Sequence, residues 1–594
     1  MLVARPQPLA ADTGALKLES ARGARFAFAG PIGDRVTRNV DEWLLHAPSA
    51  NPGMLEMFRV RDRSPTPQLV PWAGEFVGKY LLSAIEALRM SNDPRLRAEV
   101  ARVVKELIAT QAADGYLGPF PEKDRLRGNW DLWGHYHCIE ALLMWHEQTG
   151  DASALDAARR AGDLVCKTFL DGTRRVFDAG SHEMNMAIIT ALGHLYRVTG
   201  EARYIAMMRE VEKDWERAGD YLRAGLDGRE FYASPAPRWE SLHDLQGLVE
   251  LYRITGEKKY RDAFEQHWRS IARHDIHNTG AFSSGEQATG NPYAAGAIET
   301  CCTIAWTALS IDMLRLTGDP EIADYLELAT FNGSLGAQHP SGRWWTYNTP
   351  MDGAREASAH TIVFQARAGT PELNCCSVNG PRALGMLSEW AVMFEGDNLV
   401  INTYLPGKYE FPMKSGKKIA FEITGDYPLR NRAKITWTTP PSEPTTLKLH
   451  NPGWSKTTRF SAKALTLTPT TGFAEIQQNW RRNDTITIDF DMAVRTVAGA
   501  REMTDRISVY RGPLLLAYDQ ALNSFDENAI PAVTLDLLAQ AKSEVVYDPK
   551  NLLSCWIEVR FPSANLSLCD FASAGCRGTR YRTWLPNSLQ KATR

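Results

Sequence analysis

Two cysteine pairs lie on separate segments, Glu299-Thr300-Cys301-Cys302 and Asn374-Cys375-Cys376-Ser377, with a carboxylate two residues before the leading thiol of the first pair. Thiolates and a carboxylate are metal donors, and zinc suits the set best because it takes four such ligands without redox demands. The chain has nine cysteines, four of them in these dipeptides; Cys138, Cys166, Cys555, Cys569 and Cys576 show no ligand spacing. Buried packing is the plain alternative for adjacent cysteines. Glu299 and Cys301 reach one metal from the first turn of a helix, and Cys375 and Cys376 from a loop held by Asn374 and Pro381. A purely structural metal needs only a closed shell of four ligands, whereas a catalytic one needs an open position or a ligand that doubles as nucleophile. A zinc-bound thiol is deprotonated at neutral pH and supplies a soft nucleophile without an adjacent base. Glu286, in the Gly-flanked run Ser283-Ser284-Gly285-Glu286-Gln287, is placed where a loop could present a general acid; its bland reading is a solvated surface carboxylate.

A repeated phrase indicates what positions these residues. Trp145 to Asp151, Leu195 to Glu201, Leu251 to Glu257 and Met313 to Asp319 each end in Thr-Gly followed by an acid, and their glycines (150, 200, 256, 318) lie 50, 56 and 62 residues apart. Apolar residues at helical spacing precede each glycine, as in Ile188, Leu192, Leu195 and Tyr196, and a new helical run follows it. Glycine just past a helix is the usual left-handed cap, and an acid suits the next first turn. Each repeat is therefore a helical hairpin, with a further copy at Tyr80 to Pro94, where Ser91-Asn92-Asp93-Pro94 replaces Thr-Gly-Asp. About six such hairpins close most economically into an (α/α)6 barrel. His137, His182 with Glu183, His243, and Glu299 to Cys302 stand at or near the starts of the presumed inner helices, so they crowd one mouth. Any single histidine among them reads equally as a capping or core residue.

From about Asn398 short alternating segments such as Lys418 to Ile423, Ala433 to Trp437 and Asp484 to Asp489 predict an antiparallel β-sandwich. The expected division is a helical barrel over 1–395, a sandwich over 396–515 and an abbreviated β-rich region over 516–594, making the fold class multidomain α plus β. A net charge of −3 with no basic run argues against nucleic acid or an anionic membrane as partner, while 17 Trp and 19 Tyr suit stacking on sugars. The N-terminus lacks the basic start and apolar run of a secretory signal, and no stretch approaches a membrane span of about 20 apolar residues, so a cytoplasmic location is expected. A homodimer is compatible with this reading.

The Glu-Thr-Cys helix start, the Gly-Glu upstream of it, the Asn-Cys-Cys-(x)3-Gly-Pro-Arg run at 374–382 and the Leu-Tyr-Arg-(x)-Thr-Gly hairpins together resemble glycoside hydrolase family 127, the β-L-arabinofuranosidase-like proteins. The resemblance covers roughly Asn39 to Trp390, including Gln111-(x)3-Gly115-Tyr116-Leu117-Gly118, and resumes weakly at Tyr581 to Pro586. It implies an (α/α)6 barrel followed by β-sandwich domains and a retaining exo-glycosidase acting on carbohydrate. It further implies zinc held by Glu299, Cys301, Cys375 and Cys376, with Cys375 as nucleophile and Glu286 as acid/base. By the same resemblance His137, His182, His243 and Tyr347 line the sugar pocket. The chain departs from the family pattern in several places. Cys302 adds a thiol that could exchange roles with Cys301, the stretch from Glu286 to Glu299 is shorter, and Lys79 stands where a histidine is expected, a charge that would favour an acidic sugar. The leading expectation is release of β-L-arabinofuranose or a related branched or acidic sugar. The alternatives are a sugar-binding protein with structural zinc, or another toroid enzyme such as a polysaccharide lyase or sugar epimerase.

Overall fold

The computed structural model describes residues 9–170, 172–357, 374–413, 417–463, 465–467, 469 and 472–588. Five long helices, Glu75–Ser91, Asp131–Thr149, Ile188–Thr199, Ser241–Thr255 and Thr300–Thr317, pack one on the next, and the short helices Cys375–Asn379 and Arg382–Gly385 close the ring onto the first. They are inner helices because they are apolar nearly all round; Thr300–Thr317 buries almost every residue. Outer partners such as Pro94–Ala109 bury only one stripe, Leu96, Val100, Val103, Val104 and Leu107, at helical spacing. Among the described residues no helix is long and apolar enough to cross a membrane.

The repeated Thr-Gly phrase has one geometry. Gly150, Gly200, Gly256 and Gly318 take φ of 76°, 71°, 71° and 65°, and the threonine before each donates its hydroxyl to the carbonyl four residues back. That hydroxyl also accepts the N–H of the following acid. The divergent copy does the same with Ser91 for threonine and Asn92, φ 50°, for glycine. A chain segment then runs across three of these helix ends: Leu9 and Ala10 donate to Arg197 O, Thr13 and Gly14 to Arg253 O, and Lys17 and Leu18 to Arg315 O. Its four-residue spacing satisfies carbonyls that a helix C-terminus leaves unpaired.

The segment continues into strands Glu19–Ser20 and Arg25–Phe28, which pair with Val392–Glu395 and Gly407–Pro412 at the edges of a five-stranded and a seven-stranded sheet. These strands fall within the span assigned to the barrel from the sequence; at two and four residues they are too short for alternation to stand out. The two sheets form the sandwich and run as far as Thr485–Asp489. Val494–Ala498 pairs with Arg506–Arg511, which with Leu514–Asp519 joins the strands after Ile557, so the third sheet begins some twenty residues before the expected position 516. Alternation looks the same in both sheets, which is why the sequence does not mark the change. The third sheet braces loops at the barrel mouth. Asp352–Gly353 pairs with Tyr581–Arg582, Tyr581 donates to Pro350 O at 2.6 Å, and Asn278 donates to Ser508 and Thr583 at 2.8 Å.

A thiol and carboxylate cluster at the barrel mouth

Glu299, Cys301, Cys375 and Cys376 converge, one ligand atom from each lying within 4.8 Å of the others. Cys376 Sγ is 3.2 Å from Glu299 Oε1, 3.5 Å from Cys301 Sγ and 3.8 Å from Cys375 Sγ, and Cys375 Sγ is 3.6 Å from Glu299 Oε1. Glu299, Cys301 and Cys376 are buried, while Cys375 is partly exposed. Burial, with Cys375 and then Glu286 and Glu240 adding repulsion, pushes the Glu299 carboxyl well above the carboxylate range. Four groups that ionise to anions at this separation repel unless a cation neutralises them, so the donor set fits a metal ion.

Local structure explains the convergence. Glu299 opens the Thr300–Thr317 helix with extended backbone, and its side chain does not cap the helix, leaving both oxygens free to face the thiols. Cys301 follows in the first turn. On the other segment Asn374 is an N-cap whose Oδ1 accepts from the N–H groups of Cys376 and Ser377, while the Ser377 hydroxyl accepts from Asn374 N–H. This reciprocal cap holds Cys375 and Cys376 at the start of their helix. Residues 298–300 pair with 347–349, through Thr300 N–H to Tyr347 O at 2.9 Å and Thr349 N–H to Ile298 O at 2.8 Å, which brings the Tyr347 hydroxyl to 3.6 Å from Cys375 Sγ. Cys302 stays outside the cluster. It is buried, its thiol is held up by burial and by Glu299, and it lies 3.8 Å from Glu299 Oε2, whereas Cys375 and Cys376 contact Oε1.

A cage of rings lies beside the cluster. Gly78 lets the Glu75–Ser91 helix cross Asp131–Thr149 closely, since a Cβ there would lie 2.6 Å from the His137 backbone. His137 and His243 are 6.1 Å apart, both against Trp133, and the Tyr136 hydroxyl is 2.9 Å from His243 Nδ1. Burial, with the cations Lys79 and Arg382 adding repulsion, drops His243 to about 3 and His137 well below the ordinary range, so both are neutral. Both ring nitrogens of His137 lack a hydrogen-bond partner among the described residues although the residue is 2% exposed. Lys79 lies 2.8 Å from Glu75 and within about 5 Å of the Trp133 and Trp239 rings, all buried. Its charge is therefore met within the protein, and burial holds Glu75 up at about 7 against the pull of Lys79. His182 is not drawn into this cage: it opens a short helix, partly exposed, and stacks on Phe177 at 4.0 Å.

Glu286 sits in a loop with three left-handed residues, Ser283, Gly285 and Glu286, at φ 72°, 59° and 67°. Neighbouring groups hold that conformation in place. Asp275 accepts from Thr289 and Gly290 N–H at 2.7 Å, and His277 bridges Ser283 O and Pro292 O. The Glu286 carboxylate is about one-third exposed and accepts from Arg238 Nη2 at 2.6 Å. Arg238 also forks onto buried Glu240, whose carboxyl burial raises to about 7. Nothing in the sequence marks Glu75, and for Arg238 and Glu240 the one available signal is the run Arg238-Trp239-Glu240 shortly ahead of His243.

Known proteins point the same way. The model of the β-L-arabinofuranosidase GH127 catalytic domain matches residues 34–389, and that of the GH127 middle domain matches 398–492. A non-reducing end β-L-arabinofuranosidase of Bifidobacterium longum is 25% identical over 507 residues, covering 76% of each chain. The fold is shared with a solved GH127 β-arabinofuranosidase (TM-score 0.80, 19% identity, 97% of this chain and 98% of that one). It is also shared with a GH127 β-L-arabinofuranosidase from Geobacillus stearothermophilus T6 (TM-score 0.75, 18% identity, 95% and 100%). The catalytic-domain match spans more than half of the chain, so this protein belongs to the GH127 β-L-arabinofuranosidase family and is a glycoside hydrolase.

Proposed function

We propose that the chain is a retaining, exo-acting β-L-arabinofuranosidase with Cys375 as nucleophile, Glu286 as acid/base, and zinc held by Glu299, Cys301, Cys375 and Cys376. The observation that carries this reading is the convergence of four donors of which one, Cys375, is partly exposed. Four of the six separations between the donor atoms are 3.2–3.8 Å and all lie within 4.8 Å, close enough for the four residues to hold one ion between them. When bound, zinc keeps the thiols deprotonated at neutral pH.

Cys375 Sγ attacks the anomeric carbon as the bond to the leaving oxygen breaks, and Glu286 gives that oxygen its proton. Glu286, now a carboxylate, takes a proton from water, whose oxygen attacks the same carbon while the carbon–sulfur bond breaks and the thiolate returns. The Tyr347 hydroxyl, 3.6 Å from Cys375 Sγ, would donate to that sulfur once it is a thiolate. His137 and His243, both held toward the neutral form by burial, offer ring nitrogens to sugar hydroxyls; the nitrogens of buried His137 are the groups a bound sugar would satisfy. His182 enters this reading as an outer contact at the mouth. Because Lys79 is buried and paired with Glu75 at 2.8 Å, its charge is directed within the protein rather than at the sugar, and a neutral pentofuranoside is favoured.

The test is metal analysis with turnover of nitrophenyl furanosides and pyranosides, neutral and acidic, by the wild type, Cys375→Ser and Glu286→Gln. The expected result is one zinc per wild-type chain, turnover of the β-L-arabinofuranoside, and loss of turnover in both folded variants. A metal-free wild type that turns over substrate would exclude the mechanism, and zinc without turnover on any sugar would leave a binding protein.

A further inference from the structure

We propose that Arg238 is the positioning residue of Glu286, and that Glu240 is the counter-charge that lets Glu286 alternate between acid and carboxylate beside a guanidinium. This rests on the reading of Glu286 as acid/base. Arg238 holds the glutamate twice. Its backbone segment pairs with the loop, through Trp239 N–H to Glu286 O at 3.3 Å and Ala288 N–H to Pro237 O at 2.7 Å, and its Nη2 donates to Glu286 Oε2 at 2.6 Å. The same guanidinium donates to Glu240 from Nε at 2.9 Å and from Nη2 at 2.7 Å, and Glu240 is completely buried.

A general acid must be neutral before it donates and anionic afterwards. An arginine paired with that carboxylate alone would favour the anion and would be left uncompensated on protonation. The fork onto Glu240 eases the conflict, because while Glu240 is ionised the guanidinium stays paired in either state of Glu286, and the N–H it keeps for Glu286 fixes where that carboxyl points. The other charged groups around Glu286 are Glu183, 3.9 Å from Arg238 Nε, and Glu299, whose carboxyl responds to Glu286. Both are acids, so the balance between Arg238 and Glu240 sets the field at Glu286.

The test is the pH profile of kcat/KM on benzyl β-L-arabinofuranoside, whose poor leaving group needs acid assistance, for the wild type, Arg238→Gln, Arg238→Lys and Glu240→Gln. Zinc content and melting temperature are measured alongside. Glu240→Gln frees the arginine for Glu286 and is expected to move the basic limb down by about one pH unit; Arg238→Gln leaves the acids unopposed and moves it up by a similar amount. Arg238→Lys keeps the charge, so the limb stays near wild type while kcat falls. Folded variants whose limbs do not move, or move the same way, overturn the proposal. If Glu240→Gln does not fold, the direction of the Arg238→Gln shift decides. Glu286→Ala separates the two readings: assayed on the nitrophenyl glycoside, whose good leaving group needs no acid, it should lose the basic limb, and its slow second step should be rescued by azide. A limb that persists in Glu286→Ala, or a wild type inactive on the benzyl glycoside, overturns the acid/base reading and this proposal with it. A limb lost there but unmoved in the Arg238 and Glu240 variants overturns the proposal alone.

Discussion

A thiol that attacks carbon must be ionised and reachable, and of the three cysteines in the cluster only Cys375 is partly exposed. Cys302 is buried against Glu299 Oε2 and apart from the other thiols, which separates the roles of two adjacent cysteines that the sequence leaves interchangeable. Cys302→Ala should therefore keep one zinc per chain while Cys301→Ala loses it, as metal analysis after dialysis would show; equal loss would mean the two share the role. Gly78→Ala introduces a Cβ 2.6 Å from the His137 backbone, and this overpacking should outweigh the gain in helix propensity. The expected net loss is about 1–2 kcal/mol in urea unfolding, with KM raised more than kcat is lowered. The metal donors are legible in the sequence because thiols are rare and here come in pairs. Glu75, Arg238 and Glu240 are not, because a charged residue reads as solvated surface until the fold buries it beside an opposite charge.

The hairpins are legible as elements because their ends repeat: a threonine hydroxyl, a left-handed glycine and an acid recur wherever an inner helix stops. The strap across the helix ends is not legible, because it has no periodicity and is defined by what it touches. The short helix carrying Cys375 and Cys376 depends on its cap more than on packing length. Asn374→Ala should cost about 1 kcal/mol and lower the affinity for zinc, read as a smaller thermal shift on metal addition. An unchanged shift would mean that packing alone holds the two cysteines.

The barrel, the sandwich and the third sheet act together across the molecule. Glu327, on a barrel helix, is buried where it accepts from Thr403 at 2.6 Å and Tyr427 at 2.5 Å on the sandwich side. Burial raises its carboxyl from 4.5 to about 7 despite those donors. Since the folded state holds this proton more tightly than the unfolded chain, the contribution to stability is complete below about pH 4.5 and is lost as pH rises through 7. The loss is up to about 3 kcal/mol for a group of this kind. Urea unfolding between pH 5 and 8 should show this decline in the wild type and a shallower one in Glu327→Gln; parallel curves would mean that Glu327 ionises without consequence. The number of layers is readable from residue patterning, whereas the sheet to which each strand belongs follows from long-range pairing that alternation does not encode.

The central claim, that sulfur rather than a carboxylate carries the sugar, is tested most directly by peptide mapping of Glu286→Ala after brief exposure to nitrophenyl β-L-arabinofuranoside, whose good leaving group permits the first step but not the second. The account predicts one pentosyl group on the peptide containing Cys375, absent in Cys375→Ser, Glu286→Ala. A pentosyl group on any other residue would contradict it.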